Sequence, residues 1–448
     1  MKTLVRGGEI VNEGRVFRGD LLLDGECIAA VAEGGVAAVP PGADVIDAEG
    51  MLVLPGAIDD QVHFREPGLT WKEDIAAGSR AAAAGGVTSF MDMPNVVPPT
   101  TTLARLEEKR EIARRASLVN YAFYLGASAG NLEEIRRVDP RVTCGVKVFM
   151  GSSTGDLLLD DASALDRVFE IAPVLVATHC EDNAIIRENL ARFEAIHGED
   201  IPPSCHPLVR SRACCLASSS LAVRVARAHP GSRLHILHLS TREELELLDG
   251  GARDTRQVTG EACIHHLWFN DSAYLRHGNR VKWNPAIKEE DDRRALLEAV
   301  NDGRIDVVAT DHAPHLPAEK EGTYTRAASG GPMIQHSLVA MLQLAERGET
   351  TIATVVERMC HAPADVFRVE ARGYLREGYR ADIVLVRRDA WRVTPGNLLY
   401  KCGWSPLEGV EFTHRVAATI VNGQVVYRDG RFTGARPAQP LLFRGGRS

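Results

Sequence analysis

The sequence lacks an apolar run of the ~18–20 residues that a membrane-spanning helix needs, so we expect no membrane anchor. It has no long basic run, and its formal net charge of −8 argues against a nucleic-acid-binding protein. None of its nine cysteines stands in a Cys-x-x-Cys pair, and its N-terminus has no signal-peptide apolar block. We therefore expect reduced cysteines and a cytoplasmic location.

What is present is the composition of an ordinary globular protein, with 45% hydrophobic and 25% charged residues. A chain of 448 residues is too long for one small domain and suits a large barrel with a smaller module.

From about Gly56 to His361, β-rich apolar runs alternate with amphipathic helical patterns. Eight strands with helical crossovers over ~300 residues predict a (β/α)8 barrel of the α/β class, and a doubly wound sheet is the alternative. The predicted strands are Leu52–Ile58, Val87–Met91, Leu118–Leu125, Thr143–Met150, Val174–Thr178, Leu234–Leu237, Gln257–Thr259 and Asp306–Thr310. The predicted helices include Leu103–Arg115, Ala162–Glu170, Ala184–Ala195 and Arg293–Asn301.

Both ends of the chain show short strands separated by glycine turns. Asn422-Gly423 stands between two apolar runs and is a strong hairpin signal. We predict that residues 1–54 and 370–448 together form a composite β-sandwich, and that residues 55–369 form the barrel.

Two local patterns concern the loops of the barrel. Thr70-Trp71-Lys72-Glu73 has the form of a capping box, and Gly85-Gly86 would close the helix that it starts. Gly151–Gly155 is well placed to close over a site, and a plain surface turn is the equal alternative.

Polar side chains follow the first barrel strand, in residues 58 to 68. Because side chains two apart in a strand point the same way, Gln61 and His63 project together, with Arg65 just beyond. This spacing offers two metal ligands and one clamp for an anion.

Other predicted strands also end in polar residues, where the chemistry of a (β/α)8 barrel is found. Nitrogen and carboxylate donors together suit zinc with an open position for water. For each histidine the alternative is a hydrogen-bonded core residue, and for Asp311 an ion pair at the barrel mouth. These strand-end residues are Asn95, Lys147, His179, His238, Asp311 and His315.

Lys147 lies inside an apolar strand, where an ammonium group has to be paired, neutral or chemically changed. A carbamate on this amine would be an anionic ligand able to bridge two metals, and a salt-bridged core lysine is the alternative. Two histidines share a later strand, and we expect them to face opposite sides, with His238 as the ligand and His235 as a structural residue.

Together these motifs resemble the amidohydrolase superfamily and, within it, the dihydroorotases. The resemblance covers nearly the whole chain. It rests on Pro55-Gly56, His63-Phe64-Arg65-Glu66-Pro67-Gly68, Met93-Pro94-Asn95, Thr310-Asp311-His312-Ala313-Pro314-His315, Lys401-Cys402-Gly403-Trp404-Ser405-Pro406 and Val421-Asn422-Gly423.

The resemblance implies a set of ligands. His63, carbamylated Lys147 and Asp311 would bind one zinc, with Gln61 where the family has a histidine. Lys147, His179 and His238 would bind a second zinc. The substrate contacts that it implies are Arg65, Asn95 and His315 on a ring carboxylate, Asn284 on the ring, and the loop Ala327–Gly331 beside it.

The implied activity is reversible hydrolysis of dihydroorotate to N-carbamoyl-aspartate in pyrimidine (UMP) synthesis. Asp311 would serve as base and then as acid. The alternatives are another cyclic amidase, of allantoinase or hydantoinase type, and a non-catalytic dihydroorotase-like subunit. A homodimer is expected because dimers are common for this barrel.

Overall fold

The computed structural model describes residues 2–36, 38–151 and 157–445. Most of the predicted loop Gly151–Gly155 therefore lies outside the described residues. The strands are β1 (Lys2–Asn12), β2 (Arg15–Asp24), β3 (Cys27–Glu33), β4 (Asp44–Asp47), β5 (Met51–Pro55), β6 (Ala57–Val62), β7 (Val87–Asp92), β8 (Asn120–Gly126), β9 (Gly145–Phe149), β10 (Val176–His179), β11 (Leu234–Ile236), β12 (Val258–Cys263), β13 (Val307–Ala309), β14 (Ile383–Arg392), β15 (Glu411–Val421), β16 (Gln424–Arg428) and β17 (Arg431–Phe432).

The helices lie mostly between the barrel strands, and none of the described ones is long and apolar enough to cross a membrane. They are α1 (Ile75–Ala84), α2 (Leu103–Ala116), α3 (Leu132–Arg136), α4 (Ala162–Ile171), α5 (Asn183–His197), α6 (His206–Val209), α7 (Arg212–Ala228), α8 (Ile264–Trp268), α9 (Ala273–His277), α10 (Glu290–Asp302), α11 (Pro317–Lys320), α12 (Ser337–Glu346), α13 (Ile352–Val356) and α14 (Ala362–Val366).

Strands β6 to β13 form a parallel barrel in which each strand pairs with the next along the chain. A parallel bridge between Val62 and His312 joins the last strand back to the first, and His63 N donates to His312 O at 2.8 Å. This arrangement confirms the predicted (β/α)8 barrel and brings the C-terminal ends of all eight strands to one mouth.

The first predicted strand, Leu52–Ile58, is divided between two sheets. β5 ends at Pro55 and β6 begins at Ala57, because proline has no N–H to continue a ladder. A Cβ on Gly56 would lie 2.0 Å from Thr88 Oγ1, so only glycine lets the chain pass from the outer sheet into the barrel here.

Helix α1 begins later than the capping-box pattern predicts. Its N-cap is Asp74, whose Oδ1 accepts a hydrogen bond from Ala77 N at 2.7 Å. Glu73 is fully buried and accepts a hydrogen bond from Lys401 N instead. The predicted capping residue is therefore bound to a segment distant in the sequence. The predicted end of the helix is confirmed, because Gly85 is its C-cap.

The strands from both chain ends form one nine-stranded sheet in the order β17-β16-β15-β14-β5-β1-β2-β3, with β4 beside β1. β5 joins the two ends, since it pairs with β1 on one side and β14 on the other. The hairpin at Asn422-Gly423 is confirmed between β15 and β16. The exact domain boundaries, 54/55 and 369/370, stay predictions.

One apolar cluster packs side chains of the barrel strands against residues around α14. It includes Ile58, Met91, Tyr124, Leu175, Leu237, Val366 and Phe367.

A buried ion pair fixes one edge of the barrel mouth. Lys109 Nζ, on α2, donates to Asp92 Oδ2 at 2.5 Å and to Met93 O at 2.8 Å, and both charged side chains are fully buried. Asp92 Oδ1 also accepts from Phe64 N at 2.8 Å. The pair therefore links α2 to β7 and to the segment that carries His63 and Arg65.

We expect Lys109→Met to lower the free energy of unfolding by about 3–5 kcal/mol, because it leaves the Asp92 charge buried without a partner. Urea unfolding followed by circular dichroism measures this loss. Arg114→Gln is the matched control: it breaks the ion pair with Glu111 on the exposed face of the same helix and should unfold like the wild type. Equal unfolding curves for the two variants would contradict the role of the pair.

Candidate active site at the barrel mouth

One pocket of about 210 Å³ at the barrel mouth contains every site residue predicted from the sequence. The convergence follows from the fold, since each residue lies at or just after the C-terminal end of a barrel strand or in the adjoining loops. The lining residues are Gln61, His63, Arg65, Asn95, Lys147, Phe149, His179, His238, Asn284, Asp311, Ala313, His315, Ser329 and Gly330.

Three of these residues have left-handed backbone, which non-glycine residues rarely adopt. The φ angles are 63° at Arg65, 39° at His238 and 45° at Asp311. Such conformations cost about 1–3 kcal/mol each and cluster at functional sites. Here each one turns a side chain into the pocket just after its strand has ended.

The expectation that His235 and His238 face opposite sides is wrong. His235 lies inside the barrel below the pocket, with Nε2 3.4 Å from Asp60 and from Glu261. β11 ends at Ile236. Two residues later, the left-handed backbone of His238 breaks the alternation of side chains along the strand. Both rings therefore point inward at different heights.

His235 is the cation of a buried cluster. Burial alone would lower the pKa of this imidazole, but its hydrogen bonds with Asp60 and Glu261 outweigh burial and raise the pKa to about 9. Its Nδ1 pairs with Thr259 Oγ1 at 2.9 Å. Both ring nitrogens of His235 therefore contact protein side chains below the pocket, and we interpret His235 as structural.

His63 has one ring nitrogen tied to the protein and the other facing an acid. Nδ1 lies 2.7 Å from Asn95 Oδ1 and Nε2 lies 3.0 Å from Asp311 Oδ1. An amide oxygen only accepts, so Nδ1 carries the hydrogen. Nε2 is therefore the ring nitrogen that faces Asp311 and the pocket.

His179 is held in the same way by an acid that the sequence analysis missed. Its Nε2 lies 2.9 Å from Glu181 Oε2, which also accepts from Arg210. Burial raises the pKa of Glu181, but Arg210 and His179 together hold it well below its ordinary value. Nε2 therefore carries the hydrogen, and Nδ1 faces His238 Nε2 at 2.9 Å.

Glu181 follows His179 by two residues, and this His-x-Glu spacing at a strand end is the signal that could have identified it. Metal-binding histidines usually donate their second N–H to a carboxylate or a carbonyl, which fixes the ring and its tautomer. His238 has no such partner, because its Nδ1 is buried without a hydrogen bond in the described part of the chain.

Lys147 points into the same pocket from β9, and its side chain is buried. Among the described residues no atom accepts a hydrogen bond from its Nζ, which lies 4.5 Å from the centroid of the Phe149 ring. Burial, opposed only in part by Asp311, lowers the pKa of this amine to about 7. A large fraction of it is therefore neutral at neutral pH.

These residues fit a divalent metal ion. His63 Nε2 lies 3.0 Å from Asp311 Oδ1 and His179 Nδ1 lies 2.9 Å from His238 Nε2, so two pairs of atoms that can ligate a metal are brought together at the mouth. Burial holds the pKa of His179 and of His238 below the ordinary value, so both rings are neutral and can ligate. Nitrogen and oxygen donors in this mixture suit zinc.

Gln61 stands beside these donors on β6. Its Nε2 lies 3.3 Å from Asp311 Oδ1, and the Cys263 thiol lies 3.6 Å from its Oε1. Asp59 supports the same corner, because it accepts from Gln61 N at 3.3 Å and from Thr310 Oγ1 at 2.6 Å.

The opposite wall of the pocket contains Arg65 and His315. Arg65 donates through Nε to Pro314 O and lies 3.1 Å from His315 Nε2 through Nη2. Lys72 approaches the other ring nitrogen of His315 at 3.0 Å. Burial, then Arg65 and Lys72, hold the pKa of His315 well below its ordinary value, so the ring is neutral.

Two buried lysines hold the loop that completes this wall. Lys320 Nζ donates to the carbonyls of Lys282, Ala328 and Gly330 at 3.1, 2.7 and 2.7 Å. Lys282 Nζ donates to those of Tyr324 and Ala327, both at 2.6 Å. No pattern in the sequence distinguishes these lysines from surface lysines.

Comparison with known proteins agrees with this geometry. The sequence profile described as the amidohydrolase family matches residues 52–426. The chain is 34% identical to an allantoinase of Bacillus velezensis over 438 residues, 95% of this chain and 94% of that protein. It is 36% identical to a dihydroorotase of Halobacterium salinarum over 423 residues, 93% of this chain and 95% of that protein.

Among solved structures, the L-hydantoinase of Arthrobacter aurescens superposes with a TM-score of 0.92 at 26% identity, covering 98% of this chain and 99% of that one. The barrel, the composite sheet and these similarities lead to one conclusion: the chain belongs to the amidohydrolase family.

Proposed function

We propose that this protein is a zinc-dependent dihydroorotase, which opens dihydroorotate to N-carbamoyl-aspartate and can run in reverse. One observation supports the identity of the substrate. Arg65 is buried, and no carboxylate among the described residues forms an ion pair with it. A buried guanidinium without a counter-ion is costly, and a ring carboxylate would supply that counter-ion.

Arg65 is the charge that an anionic ligand would meet. Lys72, behind His315, is paired with Glu319, and burial lowers the pKa of Lys282 and of Lys320 in the same wall. Asn95 Nδ2 has no hydrogen-bond partner in the described part of the chain, while its Oδ1 is bound to His63. It is therefore available as a donor to a carboxylate beside Arg65.

The donors across the pocket provide for hydrolysis of an amide. His63, His179, His238, Asp311 and carbamylated Lys147 would hold the zinc, which supplies Lewis acidity and makes water more acidic. Asp311 then accepts a proton from water and delivers it to the departing ring nitrogen. Arg65 fixes the ring so that its amide lies against Asp311.

Lys147 is proposed to carry a carbamate because only a neutral amine reacts with carbon dioxide. Its burial, its lack of a described acceptor and its pKa of about 7 all favour the neutral form. Asn284 lines the pocket with its Oδ1 free of hydrogen bonds in the described residues, so it can accept from a ring N–H.

The second candidate is a cyclic amidase of allantoinase or hydantoinase type, because proteins with those names share the fold and much of the length. Such substrates would use the same amide chemistry. The two candidates differ in the need for Arg65, which a substrate without a carboxylate leaves unpaired.

Turnover of dihydroorotate against dihydrouracil, the same ring without its carboxylate, tests the proposal. Zinc-loaded wild type should favour dihydroorotate strongly. Arg65→Met should raise KM for dihydroorotate about 100-fold, from the loss of about 3 kcal/mol of hydrogen bonding to a charge, and should leave KM for dihydrouracil nearly unchanged. Turnover of allantoin or hydantoin alone would favour the second candidate, and zinc binding without any turnover would reject both.

A second prediction concerns the loop of the pocket wall. Lys320→Met removes the donor from three buried carbonyls, each costing about 1–3 kcal/mol when unsatisfied. We expect faster hydrogen exchange in residues 323–331 and a KM that rises more than kcat falls. Lys401→Met, which breaks the more exposed pair with Asp74, is the control. Unchanged exchange in Lys320→Met would show that packing alone holds the loop.

The carbamate can be observed directly. With ¹³C-labelled bicarbonate, zinc-loaded wild type should show one carbamate signal by NMR that Lys147→Met lacks. The zinc affinity of the same variant should fall by more than the factor of about 10–100 that removal of an outer hydrogen-bond partner costs. Lys401→Met, at a partly exposed lysine outside the pocket, should keep the signal. Full zinc retention by Lys147→Met would rule out Lys147 as a ligand.

A further inference from the structure

Gln61 occupies the position at which a second histidine of the first strand would stand, and its amide is already engaged on both sides. Nε2 lies 3.3 Å from Asp311 Oδ1, and Oε1 lies 3.6 Å from Cys263 Sγ. The side chain is 1% exposed, so no water competes for these two contacts.

The chemistry of the neighbours fixes which end of the amide faces which. An ionised carboxylate only accepts hydrogen bonds, so the amide NH2 has to face Asp311. A buried thiol is protonated and donates, so the amide oxygen has to face Cys263. The same thiol also lies 3.7 Å from Glu261 Oε1, and either contact keeps it on this side of Gln61.

Metal binding through Gln61 would require the reverse arrangement. An amide ligates through its oxygen, because its nitrogen has no available lone pair. Turning that oxygen to the pocket would break the hydrogen bond to Asp311 and bring the NH2 group against the thiol. The amide turns by rotation about χ3 alone, so its side-chain neighbours Asp311 and Cys263 are what hold its direction.

We propose that Gln61 is a positioning residue that donates a hydrogen bond to Asp311, with Cys263 setting its orientation, and that it is not a metal ligand. The inference rests on the proposed zinc-dependent hydrolysis. Among the described residues, it leaves His63, Asp311 and Lys147 as the protein donors on the β6 side of the site. A zinc ion there would be held by fewer donors than a histidine at position 61 would provide, and Asp311 would gain a fixed direction for moving its proton.

Zinc content after dialysis against graded chelator, measured by mass spectrometry of the metal, separates the two roles of Gln61. Gln61→Met should keep the wild-type zinc content while kcat falls about tenfold or more and KM stays nearly constant. Gln61→His should retain more zinc per chain than the wild type at the same chelator concentration. Loss of zinc in Gln61→Met would overturn the proposal, and so would an unchanged kcat.

Variants of Cys263 test the orientation and cover the case in which Gln61→Met fails to fold. Cys263→Ala removes the donor and should lower kcat, whereas Cys263→Ser keeps a donor and should recover most of it, both at unchanged zinc content. Cys360→Ala is the matched control: its buried thiol donates to Pro55 O at 3.3 Å, away from the pocket, and it should match wild-type kcat and zinc content. Equal kcat in Cys263→Ala and Cys263→Ser would overturn the role of the thiol.

The zinc measurements need no substrate, and kcat can be followed on whichever cyclic amide the wild type opens. If dihydroorotate is not the substrate, the zinc contents still decide whether Gln61 is a ligand. A failure of the proposed substrate is thereby distinguished from a failure of the proposed role of Gln61.

Discussion

Ligand atoms brought together in a buried mouth are the constraint on which this site depends. His63 Nε2 lies 3.0 Å from Asp311 Oδ1, and His179 Nδ1 lies 2.9 Å from His238 Nε2. Contacts this short need either a proton shared within each pair or a metal ion bound by both atoms. The barrel therefore carries an arrangement of side chains that a bound metal stabilises.

The other side of each histidine explains why the arrangement is specific. Asn95 takes the hydrogen of His63 Nδ1, and Glu181 takes that of His179 Nε2. Each partner leaves one ring nitrogen bare and fixes the direction in which it points. Glu181 is itself neutralised by Arg210, so the chain of support reaches from the pocket to the partly exposed surface.

Much of the site was predictable because a barrel maps chain order onto position. Once the strands were placed, His63, Lys147, His179 and Asp311 had to meet at one mouth. The details that failed depend on partners distant in sequence. Glu73 does not cap its helix because it accepts a hydrogen bond from Lys401 N. The alternation of side chains along the strand fails at His238 because the backbone of this residue is left-handed. The sequence gives no local signal for the loop held by Lys320, since this lysine donates to backbone carbonyls rather than to side chains.

The left-handed residues also show how the stability of the barrel supports the site. Arg65 and Asp311 each cost about 1–3 kcal/mol in backbone conformation, and neither would hold its position alone. Phe64, between His63 and Arg65, is fixed by Asp92 of the buried Lys109 pair. Thr310, just before Asp311, is fixed by Asp59. Each strained residue thus directly follows a residue that a buried hydrogen bond holds in place. These buried hydrogen bonds of the barrel offset the backbone strain, and the pocket side chains keep their directions.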